Sequence, residues 1–138
     1  MTHNILSYVK SLTKAWNSHE LEQVLPCYSE EYEGVDIGEA KIQHGREAVR
    51  EMLLRYWKAF PDLRFTVRST VAEGNRIAIS WLAEGTQQGP IMNIPPTGRK
   101  VEIRGVSIID VKDGLVVHGE YIWDLAGMLR HMGLLPEL

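Results

Sequence analysis

Apolar residues at Ile5, Tyr8, Val9, Leu12 and Trp16 recur at the spacing of one helical face, so the chain is expected to open with an amphipathic helix. Asn17 followed by Glu20 has the form of a capping box, and Leu21, Val24 and Leu25 carry a second short helix that Pro26 limits. Between Ser29 and Ile42 the pattern is mixed, with Tyr32, Val35 and Ile37 as weak strand signals. After Gly45 the helical period returns. Val49, Met52, Leu53, Tyr56, Trp57 and Phe60 form one stripe, which Pro61 ends. From Arg64 the period falls to two, and residues 64–72, 76–86, 100–111 and 115–123 each read as strands. Glu73-Gly74-Asn75 and Lys112-Asp113-Gly114 supply tight turns, while a longer connection, Gly89 to Gly98, carries Pro95-Pro96. Leu125 to Met132 predicts a last short helix with Gly133 at its C-terminal cap. Helices followed by an antiparallel meander define an α+β fold, and a strongly curved sheet wrapped around the helices leaves a conical pocket.

Composition narrows the class. The 138 residues suit a single domain spanning 1–138, with no internal repeat or linker. A net charge of −3, with basic residues scattered singly apart from Arg99-Lys100, predicts neither nucleic-acid nor membrane binding. No signal pattern or membrane-length apolar run is present, so a cytoplasmic location is expected. The lone Cys27 has no evident base partner, and one cysteine forms no intramolecular disulfide. His3, His19, His44 and His131 fall in no metal-ligand spacing, and Gly85 to Gly89 lacks the ending of a phosphate loop. Neither a metal nor a nucleotide cofactor is expected.

The last hairpin carries most of the ionisable groups. If Lys112-Asp113-Gly114 is a three-residue turn, Val111 faces Leu115, Arg104 faces Ile122 and Ile108 faces His118. Arg104 and Asp110 then share a face with His118, Glu120 and Asp124, with Arg104 diagonal to both Glu120 and Asp124 and Asp110 diagonal to His118. The other face, with Val101, Ile103, Ile109, Val111, Leu115, Val117, Tyr121 and Trp123, is far more apolar. Either the ionisable stripe lines the pocket and the apolar face packs a second subunit, or the apolar face is the core and the stripe is solvated.

Gly85-Thr86-Gln87-Gln88-Gly89, Ile94-Pro95-Pro96-Thr97-Gly98-Arg99, Asp113-Gly114, Asp124 and Leu129-Arg130-His131-Met132-Gly133 follow one another in an order that resembles the SnoaL-like polyketide cyclase family. Pro61-Asp62-Leu63 after an amphipathic helix is similar too. The resemblance implies an NTF2-like cone, a homodimer or homotetramer through the sheet, and cofactor-independent closure of a carbon–carbon ring in a small polyketide-like ligand. It also favours the assignment in which the ionisable stripe faces the pocket.

On that basis Asp124 is the expected acid/base, with Glu120 and Arg104 to polarise a carbonyl or hold it. Asp124 also stands where a helix N-cap belongs, before Leu125-Ala126-Gly127, and that role competes with the first. Gln87, a neutral amide where the family often has histidine, is a candidate donor to a developing oxyanion. His118 with Asp110 forms a candidate proton-shuttling dyad, and Trp81, Trp57, Trp16 and Tyr32 are candidates for stacking on a flat ligand. Two other functions fit the same residues: a non-catalytic ligand-binding domain, and an NTF2-like hydrolase using Arg104 with two carboxylates.

Overall fold

The computed structural model describes residues 2–138, with side chains from Ile5 onward, so the side chain of His3 lies outside the described residues. The elements in order are α1 (Thr2–Asn17), α2 (Leu21–Val24) and a 3-10 turn (Leu25–Cys27), then β1 (Tyr28–Asp36), β2 (Gln43–His44) and α3 (Gly45–Ala59). There follow β3 (Arg64–Glu73), β4 (Arg76–Thr86), β5 (Lys100–Lys112), β6 (Leu115–Trp123) and α4 (Leu125–His131). The stripes read from sequence are the buried ones: α1 buries Val9, Leu12 and Ala15, and α3 buries Val49, Met52, Leu53 and Ala59. Asn17 does not cap α2. Its side-chain amide brackets Phe65, donating to the Phe65 carbonyl at 2.9 Å and accepting its N–H at 2.7 Å, and so pins the end of α1 to β3.

One six-stranded sheet, ordered β2-β1-β6-β5-β4-β3, curves around α1 and α3. It is the predicted meander β3 to β6, extended by β1 from the stretch of mixed pattern and by the short β2 just after it. β1 adds to β6 in parallel, the one parallel pairing in the sheet. Its inward residues are Tyr28, Tyr32, Gly34 and Asp36, while Val35 is exposed. That inverts the usual apolar-in alternation and explains the weak signal.

The last hairpin turns differently from the expectation. Asp113 (φ 53°) and Gly114 (φ 78°) form a two-residue turn with both residues left-handed, so Lys112 rather than Val111 faces Leu115. An irregularity between Asp110 and Val111 adds one more step. Beyond it Asp110 faces His118, Ile108 faces Glu120, and the Arg104 carbonyl accepts the Asp124 N–H at 2.8 Å. The register has moved by two, which keeps the predicted faces along residues 104–110 and 118–124 but not at the tip, where Val116 is buried in the core and Leu115 and Val117 are only half-buried.

Which face points inward is the larger correction. Val101, Ile103, Ile109, Tyr121 and Trp123 are buried, and Arg104, Glu120 and Asp124 are exposed. The apolar face is therefore the core, as hydrophobic burial on a one-sided sheet dictates, and the ionisable stripe lies outside. Two apolar clusters fill the interior, one under α1 and the start of α3, the other between the end of α3 and α4. α4 is held to the sheet where β6 has ended, because the free Glu102 N–H donates to His131 Nδ1 at 2.8 Å. No described helix is long and apolar enough to cross a membrane.

Candidate active site

Between the two clusters the sheet and helices leave a cavity of about 120 Å³. Its floor is a row across the inner face: Trp81 faces Gly105, and Gly105 faces Trp123. The glycine is required there, since a Cβ on residue 105 would stand 2.4 Å from the Trp81 ring. Phe65, Ala83 and Ile103 form the next row, with Leu12 and Trp16 of α1 and Met52 of α3 above them. The indole N–H groups of Trp16 and Trp81 are tied to Tyr28 Oη and Ser107 Oγ, both at 2.9 Å, so these rings present apolar faces in fixed poses.

A single carboxylate breaks this apolar wall. Asp36, at the inward end of β1 opposite Tyr121, is 4% exposed and lines the cavity. Oδ1 accepts from Trp123 Nε1–H and from the Gly38 N–H, both at 2.8 Å, and Oδ2 accepts from the Tyr56 hydroxyl at 2.9 Å. Burial of a carboxylate costs several kcal/mol unless it is hydrogen-bonded, and here an indole, a backbone amide and a phenol supply the bonds. Gly38 makes the arrangement sterically possible, because a Cβ there would meet the Trp123 ring at 2.5 Å. Burial raises the Tyr56 hydroxyl well above the usual phenol range, and the Asp36 charge beside it adds to the rise. Tyr56 is thus a hydrogen-bond donor at every working pH.

The residues singled out from sequence fall mostly elsewhere. Asp124 is the N-cap of α4, accepting the Gly127 N–H at 2.9 Å, and it does not line the cavity. Arg104 and Glu120 stand on the same outer face. Asp110 is directly opposite His118 at 3.8 Å, but its stronger partner is Arg76, whose guanidinium grips it at 2.8 and 3.2 Å and holds its carboxyl below the usual range. Trp81 is on the cavity floor as expected. Trp57 instead stacks on His19 with ring centres 5.0 Å apart, and Tyr32 lies behind the wall, its hydroxyl 2.6 Å from that of Tyr121.

Gln87 is buried within the structure of its own loop. Its Nε2 faces the carbonyls of Gly89, Ile94 and Pro95 at 3.2 to 3.4 Å, and its Oε1 accepts from the Thr97 N–H and hydroxyl. No donor is left over for a ligand. Asp36 was missed because β1 lacks the usual alternation. The available signal was its two-residue spacing from Gly34 and four-residue spacing from Tyr32, which puts an acid on the inner face.

Beside the loop, Asp62 accepts the Thr86 N–H at 2.7 Å and the Thr86 hydroxyl at 2.9 Å. The backbone donor above all holds its carboxyl below the usual range. A depressed folded pKa gives stability that is present above the unfolded pKa of roughly 3.9 and is lost as pH falls through the folded value. The stability gap between the protein and Asp62→Ala is therefore expected to be constant near neutrality and to narrow below about pH 4. Chemical denaturation at several pH values checks this, and a gap independent of pH would contradict it.

A curved sheet around helices, with an apolar cavity and one anchored carboxylate, defines an NTF2-like or ketosteroid isomerase-like cone. A model of the SnoaL-like polyketide cyclase family matches residues 7–132, and the chain belongs to that family. Among solved structures it is similar to AclR, a putative hydroxylase from Streptomyces galilaeus, with 26% identity, 100% of this chain and 86% of that one covered, and TM-score 0.86. It is also similar to IdmH, a putative polyketide cyclase from Streptomyces antibioticus, with 28% identity, 92% and 96% covered, and TM-score 0.78. A hypothetical protein of ketosteroid isomerase-like fold from Catenulispora acidiphila shares the fold at 14% identity, 93% of each chain covered, and TM-score 0.80. A search of curated proteins finds no match.

Proposed function

We propose that this chain is a cofactor-independent acid/base enzyme that closes a ring, or shifts a double bond, in a small, flat, polyketide-like ligand held in the cavity. The observation that carries the proposal is Asp36, one buried carboxylate side chain fixed in an otherwise apolar wall. A proton on carbon next to a carbonyl passes to the carboxylate, leaving an enolate. The enolate carbon attacks a second carbonyl carbon, forming the carbon–carbon bond as the carbonyl π pair moves to oxygen. The resulting alkoxide then recovers the proton. Tyr56 fits this cycle: once Asp36 is protonated, the phenol loses its ionic acceptor and its O–H is released to the ligand oxygen. The indole walls exclude water and stack on a planar body.

A non-catalytic, ligand-binding function is favoured by one fact, that Asp36 already accepts three hydrogen bonds, from Trp123, Gly38 and Tyr56, as a structural strut would. Isotope exchange separates the two, as argued in the Discussion. The hydrolase mechanism that needs Arg104 with Glu120 and Asp124 finds no support in a stripe outside the cavity.

The homo-oligomer is proposed on new ground, since the apolar face first assigned to it is the interior. Across the outer face Val71, Ala78 and Ile108 lie in one row, which continues through Glu120 to Val35, and Ser80, Val106 and Ile122 form the next. Val71 is 70% and Ile122 51% exposed, a patch that a second copy would cover. Sedimentation should give a dimer or tetramer, and Ile122→Glu should shift it to monomer with folding unchanged. A monomeric wild-type protein would refute the oligomer.

A further inference from the structure

We propose that the ligand carries an anionic group, a carboxylate on the end of the chain or ring remote from the reacting carbon, and that Lys58 receives it at the cavity mouth. This rests on the acid/base reading above and adds the substrate class. A second recess of about 350 Å³ adjoins the first, with Tyr56 and Ile91 lining both. The inner cavity is apolar apart from Asp36 and a few hydroxyls, while the outer recess, still largely apolar, is the more polar of the two, with Glu39, Arg55, Lys58 and Asn93 on its walls. A molecule filling both therefore has a flat apolar body and a polar end.

The sign of that end follows from the charges. Arg55 and Lys58 stand three residues apart on α3 and so share a face. Glu39 is delivered to Arg55 by the turn that follows Asp36, in which the Asp36 carbonyl accepts the Glu39 N–H at 2.9 Å. The pair is neutral. Lys58 is exposed and, among the described residues, makes no ion pair, so the recess keeps one uncompensated positive charge. The mouth is also well built around that charge. The Ala59 carbonyl accepts the Gln88 and Gly89 N–H groups at 2.8 and 3.2 Å, welding the end of α3 to the loop. A Cβ at Gly89 would meet the Lys58 carbonyl at 2.5 Å, which keeps the two chains in close contact. Across the recess Met92 (φ 50°) and Asn93 (φ 64°) both hold left-handed backbone, an arrangement that costs stability in non-glycine residues and turns the Ile91–Ile94 bridge toward α3.

Two probes with one body test this: 2-naphthylacetate, an anion, and 2-naphthylethanol, its neutral counterpart, followed by quenching of the cavity tryptophans. At low salt the wild-type protein should bind the acid about three-fold more tightly than the alcohol, the range of one exposed ion pair. Raising the salt should erase the difference. Lys58→Gln should remove the preference and leave the alcohol unchanged, and Glu39→Gln should enlarge it. Lys58 also sits in the last turn of α3, where a cation favours the helix. That role would lower the melting temperature of Lys58→Gln without changing the ratio of the two affinities. Equal affinities in the wild-type protein, or a preference that survives Lys58→Gln, overturns anion capture and leaves the cavity reading standing. If the alcohol does not bind at all, both fall.

Discussion

Asp36→Asn is expected to lower turnover by about 10²–10⁴-fold, the usual contribution of a positioned base, while shifting the melting temperature by no more than a few degrees. The two halves of that result come from the same geometry. An asparagine oxygen in the place of Oδ1 still accepts from Trp123 Nε1–H and the Gly38 N–H. The amide NH₂ in the place of Oδ2 donates to the Tyr56 oxygen, reversing that bond rather than breaking it. The folded state keeps its bonds and loses only the capacity to take a proton. Asp36→Leu is the contrast: it strands three buried donors at about 1–3 kcal/mol each and should unfold much earlier. The measurement is exchange of the proton next to the carbonyl for deuterium, read by NMR on small aromatic β-dicarbonyl compounds. Exchange asks only for a base, so it does not depend on knowing the natural ligand. Acceleration by the wild-type protein and not by Asp36→Asn supports the proposal. Binding by both with acceleration by neither would make the chain a ligand-binding protein and Asp36 a strut.

The contrast between α3 and β1 shows what the sequence made legible. Helix α3 announces itself because Val49, Met52 and Leu53 must be buried and its outward positions are charged, so period and burial agree. The same agreement gave β3 to β6 and the class of fold. In β1 they disagree. Its inward places hold two tyrosines, a glycine and an acid, and Val35 points out, because the strand closes a cavity rather than a solid core. The site hid for the same reason. A buried acid violates the local rule that marks a core strand, and such violations concentrate where function is placed. The stripe on β5 and β6 misled in the opposite sense. It looked chemical because five of its groups ionise, yet simple alternation already favoured placing Val101, Ile103, Tyr121 and Trp123 inside. The family resemblance located the fold correctly and tipped that face the wrong way. Asp124 illustrates the limit of a single position: capping and catalysis call for the same residue type, and only the Gly127 N–H decides which bond is made.

Gln87→Leu should be among the most destabilising single changes outside the hydrophobic clusters, on the order of 3–4 kcal/mol. Gln87 is 0% exposed and holds the whole connection from Gly89 to Gly98 by both ends of one amide. The backbone reinforces the clasp, with the Gln87 N–H donating to the Arg99 carbonyl and the Gly98 N–H to the Gln87 carbonyl, both at 2.9 Å. Leucine matches the volume roughly but leaves the Thr97 N–H without its acceptor and removes the donor shared by three carbonyls. Gln87→Glu is the sharper variant. It keeps the acceptor for Thr97 and sets a second, charged oxygen against the carbonyls of Gly89, Ile94 and Pro95, so it should destabilise at least as much as leucine at neutral pH. Protonation gives that oxygen a hydrogen to donate, so the glutamate variant should regain part of its stability as the solution is acidified, and the leucine variant should not. Hydrogen exchange should locate the damage in residues 88–98. Because Ile91 lies on the walls of both recesses, ligand affinity should fall with it. A Gln87→Glu protein as stable as wild type at pH 7 would mean that the amide is not the clasp, and that the loop is held by its backbone bonds and prolines alone.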